Sequence, residues 1–268
     1  MRGSWDNTPA EVKRYRLIAC EIVFREVCAL AAESRHIIDP VFVRKGLHDV
    51  ETPAMVAELQ QHIDAVDAGR YQAILLAYGR CNDGVVGLRA RSIPLVIPRA
   101  HDCITLFLGG KERYQEYFDT HPGTYFRTSG WIERNFASEE DGVMRKLGLD
   151  RTLQEYVDQY GEDNAKYIME VLGSWRRKYE RLTFIDTGLA RRLGYAERTR
   201  RDAEANHWQY EELAGDLSLL RRLLDGEWDE SAFLVVPPGY RIVARNDGSI
   251  LAADGGPIIE SQAVCKKD

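Results

Sequence analysis

Short apolar runs alternate with amphipathic stretches along the first half of the chain. Arg16–Cys20 is apolar after its first residue and reads as a strand. Glu21–Ser34 follows with Ile22, Val23, Val27, Leu30 and Ala31 at helical spacing. Ile37–Val43 predicts a second strand. A helix is expected over Thr52–Ala68, with Thr52 as its cap, Pro53 in the first helical position and Gly69 just past its end. Ala73–Tyr78 predicts a third, buried strand, because Ile-Leu-Leu-Ala is continuously apolar. Gly79–Gly87 is a glycine-rich loop, Pro94–Ile97 a fourth short strand stopped by Pro98, and Asp102 the cap of a helix running to Leu108.

The middle of the chain reads as helical and aromatic. Helices are predicted at Lys111–Phe118, Leu153–Tyr160 and Asn164–Glu180, with a loop at His121–Gly130. Strands then resume at Leu182–Ile185, Trp208–Leu213 and Phe233–Val236, separated by helices at Tyr195–Asn206 and Leu217–Leu224, the latter capped by Asp216. Asn246-Asp247-Gly248, between short apolar runs, predicts a hairpin turn. The β-α-β-α-β order thus occurs twice, at 16–78 and 182–236. The expected class is α/β: two Rossmann-like β-α-β-α-β units with parallel strands, joined by a helical middle segment and pseudo-symmetric around a cleft. The corresponding boundaries are 1–120, 121–180 and 181–268. A single continuous sheet accommodates the same pattern.

Composition narrows the class. With 268 residues the chain has ample length for a core. Its 44% hydrophobic and 29% charged content is that of a soluble globular protein. A net charge of −6 offers no basic surface to nucleic acid. The basic run of Arg191, Arg192, Arg198, Arg200 and Arg201 is interleaved with acids and reads as a solvated helix face. The first residues lack the apolar stretch of a secretory signal, and no apolar run approaches the ~20 residues of a membrane span. A cytoplasmic protein without a membrane partner is expected, and there five cysteines point to metal binding or reactivity before disulfides.

Three of those cysteines fall where a predicted strand gives way to a loop: Cys20, Cys81 and Cys103, with His101 two residues before the last. Ligands of open α/β sheets bind at the carboxyl ends of strands. Zinc takes thiolate and imidazole ligands and keeps one position open in catalytic sites. Cys81, His101 and Cys103 suit it, with Cys20 as fourth ligand or nearby thiol. Cys20, Cys81 and Cys103 equally suit a [4Fe-4S] cluster with one iron open to substrate. A metal-free cysteine nucleophile with His101 as its base is a third reading. Core packing is the competing explanation for all three thiols, since cysteine often behaves as a small hydrophobe. Cys28 reads as such a case, on the apolar side of a helix, and Cys265 as incidental in a polar tail.

The flanking residues extend the candidate site. Glu21 and Asp102 are candidates for orienting the centre or moving protons, and Arg80, Asn82, Asp83 and Arg99 for holding substrate. The arginines suit a carboxylate or phosphate, or pair with neighbouring acids. The Gly79–Gly87 loop has neither the Walker nor the dinucleotide pattern. Thr124–Trp131, aromatic and glycine-bearing, suits a lid over the cleft, a homodimer contact or core packing.

Five motifs together carry a resemblance: Leu17–Glu21, Tyr78–Gly84, Pro98–Cys103, Gly123–Trp131 and the Gly215–Gly239 segment ending in Val-Val-Pro-Pro-Gly. They resemble a family of bacterial and archaeal proteins carried as a domain of unknown function, some encoded beside corrinoid-dependent methyltransferase genes, over residues 14–243. The resemblance implies no defined activity; the gene neighbourhood implies one-carbon metabolism and a corrinoid methyltransferase partner. His101-x-Cys103 with a further cysteine is also similar to the ligand set of zinc enzymes that activate a thiol for methyl transfer. Expected functions are therefore a metal-dependent enzyme acting on a small molecule, by thiol activation or methyl transfer at a Cys/His zinc site; an iron–sulfur enzyme; or a non-enzymatic metal or corrinoid carrier serving a methyltransferase.

Overall fold

The structure is a computed structural model that describes residues 11–45, 52–134, 157–158, 161–162, 164 and 179–256. Its first sheet is built from β1 (Arg14–Cys20), β2 (Ile37–Val43), β3 (Ala73–Ala77) and β4 (Leu95–Pro98), with Phe233–Val236 at one edge. The spatial order is β2-β1-β3-β4, all parallel, and Phe233–Val236 pairs antiparallel with β4. Every residue of β3 and β4 is buried, which is why these strands read as unbroken apolar runs. β2 is the opposite edge and carries Pro40, whose missing N–H an edge strand tolerates.

The chain leaves β1 through a 3-10 turn (Glu21–Val23) and helix α1 (Phe24–Glu33) to reach β2 on one side. It then returns through α2 (Thr52–Asp64) to β3 on the other side of β1. Parallel crossovers are right-handed, so this reversal puts α1 and α2 on opposite faces of the sheet. It also makes the gap between the carboxyl ends of β1 and β3 the topological switch point, where ligands bind in doubly wound sheets.

A second, all-parallel sheet has the order Thr124–Arg127, Arg181–Asp186, Gln209–Ala214. In chain order these are β5, β6 and β7, and Phe233–Val236 is β8. The helices α3 (Cys103–Phe107), α4 (Lys111–Thr120) and α5 (Ser129–Glu133) flank β5, α6 (Tyr195–Ala205) joins β6 to β7, and α7 (Ser218–Leu224) precedes β8. β9 (Tyr240–Ala244) and β10 (Leu251–Gly255) form the hairpin predicted around Asn246-Asp247-Gly248.

The α/β class with parallel strands stands, and two details are corrected. Thr124–Arg127, expected as loop, is a strand of the second sheet. Phe233–Val236, grouped by sequence order with the C-terminal unit, closes the first sheet instead. Arg99 holds it there: its backbone N–H donates to Ala232 O at 2.7 Å, and its guanidinium to Glu230 O at 2.8 Å and Phe233 O at 3.2 Å. The helices expected at Leu153–Tyr160 and Asn164–Glu180 lie almost wholly outside the described residues. The arginine run from Arg191 to Arg201 is exposed, as a solvated face should be.

The two sheets meet at their carboxyl ends. Gly130, in α5 just after β5, lies so close to the turn after β1 that a Cβ there would stand 1.7 Å from Ile22 O. Beside it the buried Glu26 carboxylate oxygen Oε1 accepts from Ser129 Oγ at 3.3 Å and from Thr187 Oγ1 at 2.9 Å. The loops after β1, β5 and β6 are thereby joined around one cleft.

Candidate functional site

Three neighbouring parallel strands each deliver a cysteine to this cleft. Cys20 is the last residue of β1, Cys81 follows β3 by four residues and Cys103 opens α3 after β4. The β3–β4 pairing continues into the loops, where Arg80 N donates to Ala100 O at 2.8 Å and Cys81 N to His101 O at 3.1 Å. Gly79 permits that approach, since a Cβ would meet the Asp102 backbone at 2.6 Å. The chain then turns through Cys81, Asn82 and Asp83, with φ of 25°, 50° and 59°. Asn82 and Asp83 are residue types that tolerate left-handed backbone, so the strain falls on Cys81, about 1–2 kcal/mol of the kind that gathers at functional sites.

Cys20 and Cys103 are buried and Cys81 is half-buried. Burial pushes the Cys20 thiol up to about 12, and the charge of Glu21 adds to it. Burial likewise pushes Cys81 up to about 12, helped by the charges of Asp102 and Cys20. Cys103 is raised by burial and then by Cys81, Asp102 and Cys20. The charge of Cys20 thus bears on both other thiols, and that of Cys81 on Cys103. Opposing this, N–H groups reach each sulfur: Ile22 N–H at Cys20, Cys103 and Gly79 N–H at Cys81, and the Trp131 indole N–H at Cys103. Tyr78, buried beside Cys20 and Cys81, has a hydroxyl without a hydrogen-bond partner among the described residues.

A cavity of about 550 Å³ opens next to Cys81 and Cys103. Asn82, His101, Asp102 and Ile104 complete one wall; Tyr114, Thr124, Tyr125, Phe126, Trp131 and Tyr179 make the other. Asp102 caps α3 as expected, its Oδ1 accepting from Ile104 N at 2.9 Å, while Oδ2 accepts from Tyr114 OH at 2.9 Å. Burial and the Asp102 charge raise the Tyr114 phenol, so it stays protonated and donates.

The remaining candidates divide. Asn82 and the exposed His101 line the cavity with Cys81, Asp102 and Cys103. Glu21 instead accepts from Lys45 N at 2.9 Å and stands 3.9 Å from Arg134. Arg80 pairs with Asp83 and donates to Arg245 O at 3.1 Å. Among the described residues the Arg99 guanidinium bonds to backbone carbonyls, those of Glu230, Phe233, Ser249 and Leu251, which makes it a strut between β8 and the hairpin. Cys28, expected in the core, is exposed, because the buried stripe of α1 runs through Glu26, Val27 and Leu30. Among the described residues no group of three or more His, Cys, Asp and Glu side chains is arranged to hold a metal ion. Tyr114 and Tyr179 escaped the sequence reading; the aromatic Thr124–Trp131 segment was the one visible sign of this wall.

The model of the family described as "Protein of unknown function (DUF1638)" matches residues 42–224. The chain belongs to the DUF1638 family. The matched segment contains Cys81, His101, Cys103 and every described residue of the cavity lining, and Cys20 lies ahead of it. No curated protein matches this DUF1638 chain, and no solved structure matches it. No helix among its described residues is long and apolar enough to cross a membrane.

Proposed function

We propose that the protein is a metal-dependent enzyme whose centre is held by the thiolates of Cys20, Cys81 and Cys103, acting on a small molecule in the adjacent cavity. The carrying observation is that β1, β3 and β4, neighbouring parallel strands, each lead into a cysteine, Cys20, Cys81 and Cys103, at the switch point of the sheet. Without a cation these thiols stay protonated at neutral pH, which disfavours the metal-free nucleophile. A bound cation reverses that balance and draws off the protons.

By donor type the three thiols suit an iron–sulfur cluster, which is held by thiolates and tuned by hydrogen bonds to them, although their side chains are not gathered to hold a metal ion in this structure. The unpartnered Tyr78 hydroxyl supports the fit, since a cluster brings acceptor atoms into a buried site. When bound, an open iron would serve as a Lewis acid toward a substrate heteroatom. The chain's own residues do the rest. Trp131 covers Cys103, and Asp102, held by Tyr114, presents a fixed carboxylate to the cavity for holding charge or taking a proton. Zinc on Cys81, His101 and Cys103 is the second reading, favoured by the fact that these three residues line one cavity.

The test is anaerobic purification followed by iron, sulfide and zinc analysis of the wild type and of Cys20→Ser, Cys81→Ser and Cys103→Ser. Iron with matching sulfide is expected, lost in each variant, with reconstitution weaker at pH 6 than at pH 8 because ligation releases protons. Zinc without sulfide, lost on His101→Ala, would transfer the proposal to the second ligand set. An unstripped wild type without metal would sink both.

A further inference from the structure

The same cavity carries a statement about what it binds. Five of its lining residues are aromatic: Tyr114, Tyr125, Phe126, Trp131 and Tyr179. Four of them meet in two pairs, Tyr114 and Phe126 with ring centroids 6.1 Å apart and Tyr125 and Tyr179 edge to face at 5.5 Å. The faces of such rings are electronegative and attract cations, most strongly where water is excluded. Trp131 already receives one in this way, with Lys45 Nζ 5.0 Å from its ring centroid.

Among the described residues the charge that lines the cavity itself is negative, with Lys45 on the Trp131 ring but outside the lining. Asp102 is its carboxylate, and no Lys or Arg belongs to the lining among the described residues. Asp102 forms no ion pair among the described residues; its partners are neutral donors, the Tyr114 hydroxyl and the backbone N–H groups of α3. A half-buried carboxylate so held is oriented but not neutralised. At about 550 Å³ the cavity has the size of a small-molecule site.

We infer that the cavity binds a small organic cation, an alkylated ammonium group seated between the aromatic wall and the Asp102 carboxylate. This names the substrate class of the site proposed above and rests on the cavity being that site. It does not require the thiolate centre to be loaded. An anionic substrate would meet a carboxylate and the negative faces of the rings; a neutral apolar one would leave the Asp102 charge unmet.

The test uses choline and its uncharged carbon isostere, 3,3-dimethylbutan-1-ol, titrated calorimetrically into the full chain, both metal-loaded and metal-stripped. Choline should bind once per chain, and the isostere about tenfold more weakly or worse, the ratio expected for a desolvated cation–π site. Asp102→Asn keeps a capping side chain but removes the charge, and Tyr125→Leu removes one ring from a 40% exposed position. Each should weaken choline severalfold, with thermal melting confirming a retained fold. Equal binding of choline and isostere would overturn the inference. So would choline binding that both variants leave intact, or no choline binding in either preparation. Choline binding to the stripped chain leaves the thiolate centre standing. Choline binding by an anaerobically purified, unstripped chain that carries no metal would support the cavity's ligand and overturn the centre, so the two failures are separable.

Discussion

All five residues of β3 are buried, and none of the six residues of β7 is. The contrast extends to the sheets they belong to. The first is held by apolar contact: Leu17, Ile18, Leu75, Leu76, Val96 and Ile97 are each 1% exposed or less. The second is held partly by a polar ladder. Tyr117 OH bonds Thr183 Oγ1 at 2.9 Å and Glu211 Oε2 at 2.8 Å, and Arg181 Nη1 reaches the same Glu211 oxygen at 2.9 Å. Apolar burial is the larger source of stability and is non-directional, whereas hydrogen bonds add little net energy but fix orientation. The first sheet therefore anchors the three cysteine loops, and the second orients the aromatic wall that faces them.

Truncation of the cores should expose this difference most strongly. Leu75→Ala, in the central strand, should cost about 2–5 kcal/mol in urea unfolding, as buried Leu→Ala changes do. Leu213→Ala, at a half-buried position of β7, should cost about 1 kcal/mol. Equal losses would mean that the two sheets share one core and the contrast is only of composition.

Next in size is the joint between the sheets. Gly130→Ala puts a methyl group 1.7 Å from Ile22 O, a backbone atom that cannot swing away. The expected cost is about 1–3 kcal/mol, with the loops after β1 and β5 pushed apart. Amide exchange should quicken around Ile22 and Trp131 and stay slow in β3. Uniform quickening throughout would show that the joint is part of the first sheet's folding unit.

Legibility in the sequence followed the same division. β1 through β4 announced themselves because central parallel strands are apolar on both faces, and the bounds of Ile37–Val43 match those expected. The cysteine loops were visible because they sit at the ends of those runs. β5 was hidden: it is four residues long, only Thr124 in it is buried, and its partner β6 begins more than 50 residues later. β8 was seen as a strand but not assigned to its sheet, because an antiparallel edge pairing with β4 leaves no local mark. Arg99 looked like an anion clamp because its sequence neighbours carry chemistry. Its acceptors, the carbonyls from Glu230 to Leu251, are remote in the chain. The cavity has one legible wall, the cysteine loops, and one wall of which only the Thr124–Trp131 stretch gave a sign.

The smallest expected effect tests the joint by pH. Glu26 is fully buried; its Oε1 takes two hydroxyl donors and its Oε2 has no partner among the described residues. Burial raises its carboxyl above the ordinary value of 4.5, and the charge of Glu133 adds to the shift. The folded chain therefore holds this proton more tightly than the unfolded chain. Its stabilising contribution is complete below about 4.5 and is lost as pH rises through the raised folded value. Glu26→Gln keeps the shape and removes the titration. Relative to the variant, the wild type should lose about 1 kcal/mol between pH 4.5 and pH 8 for each unit by which the carboxyl is raised, read from urea midpoints at the two pH values. A difference that stays constant with pH would mean that the carboxyl ionises freely in the fold, and so that the joint between the sheets is open to water.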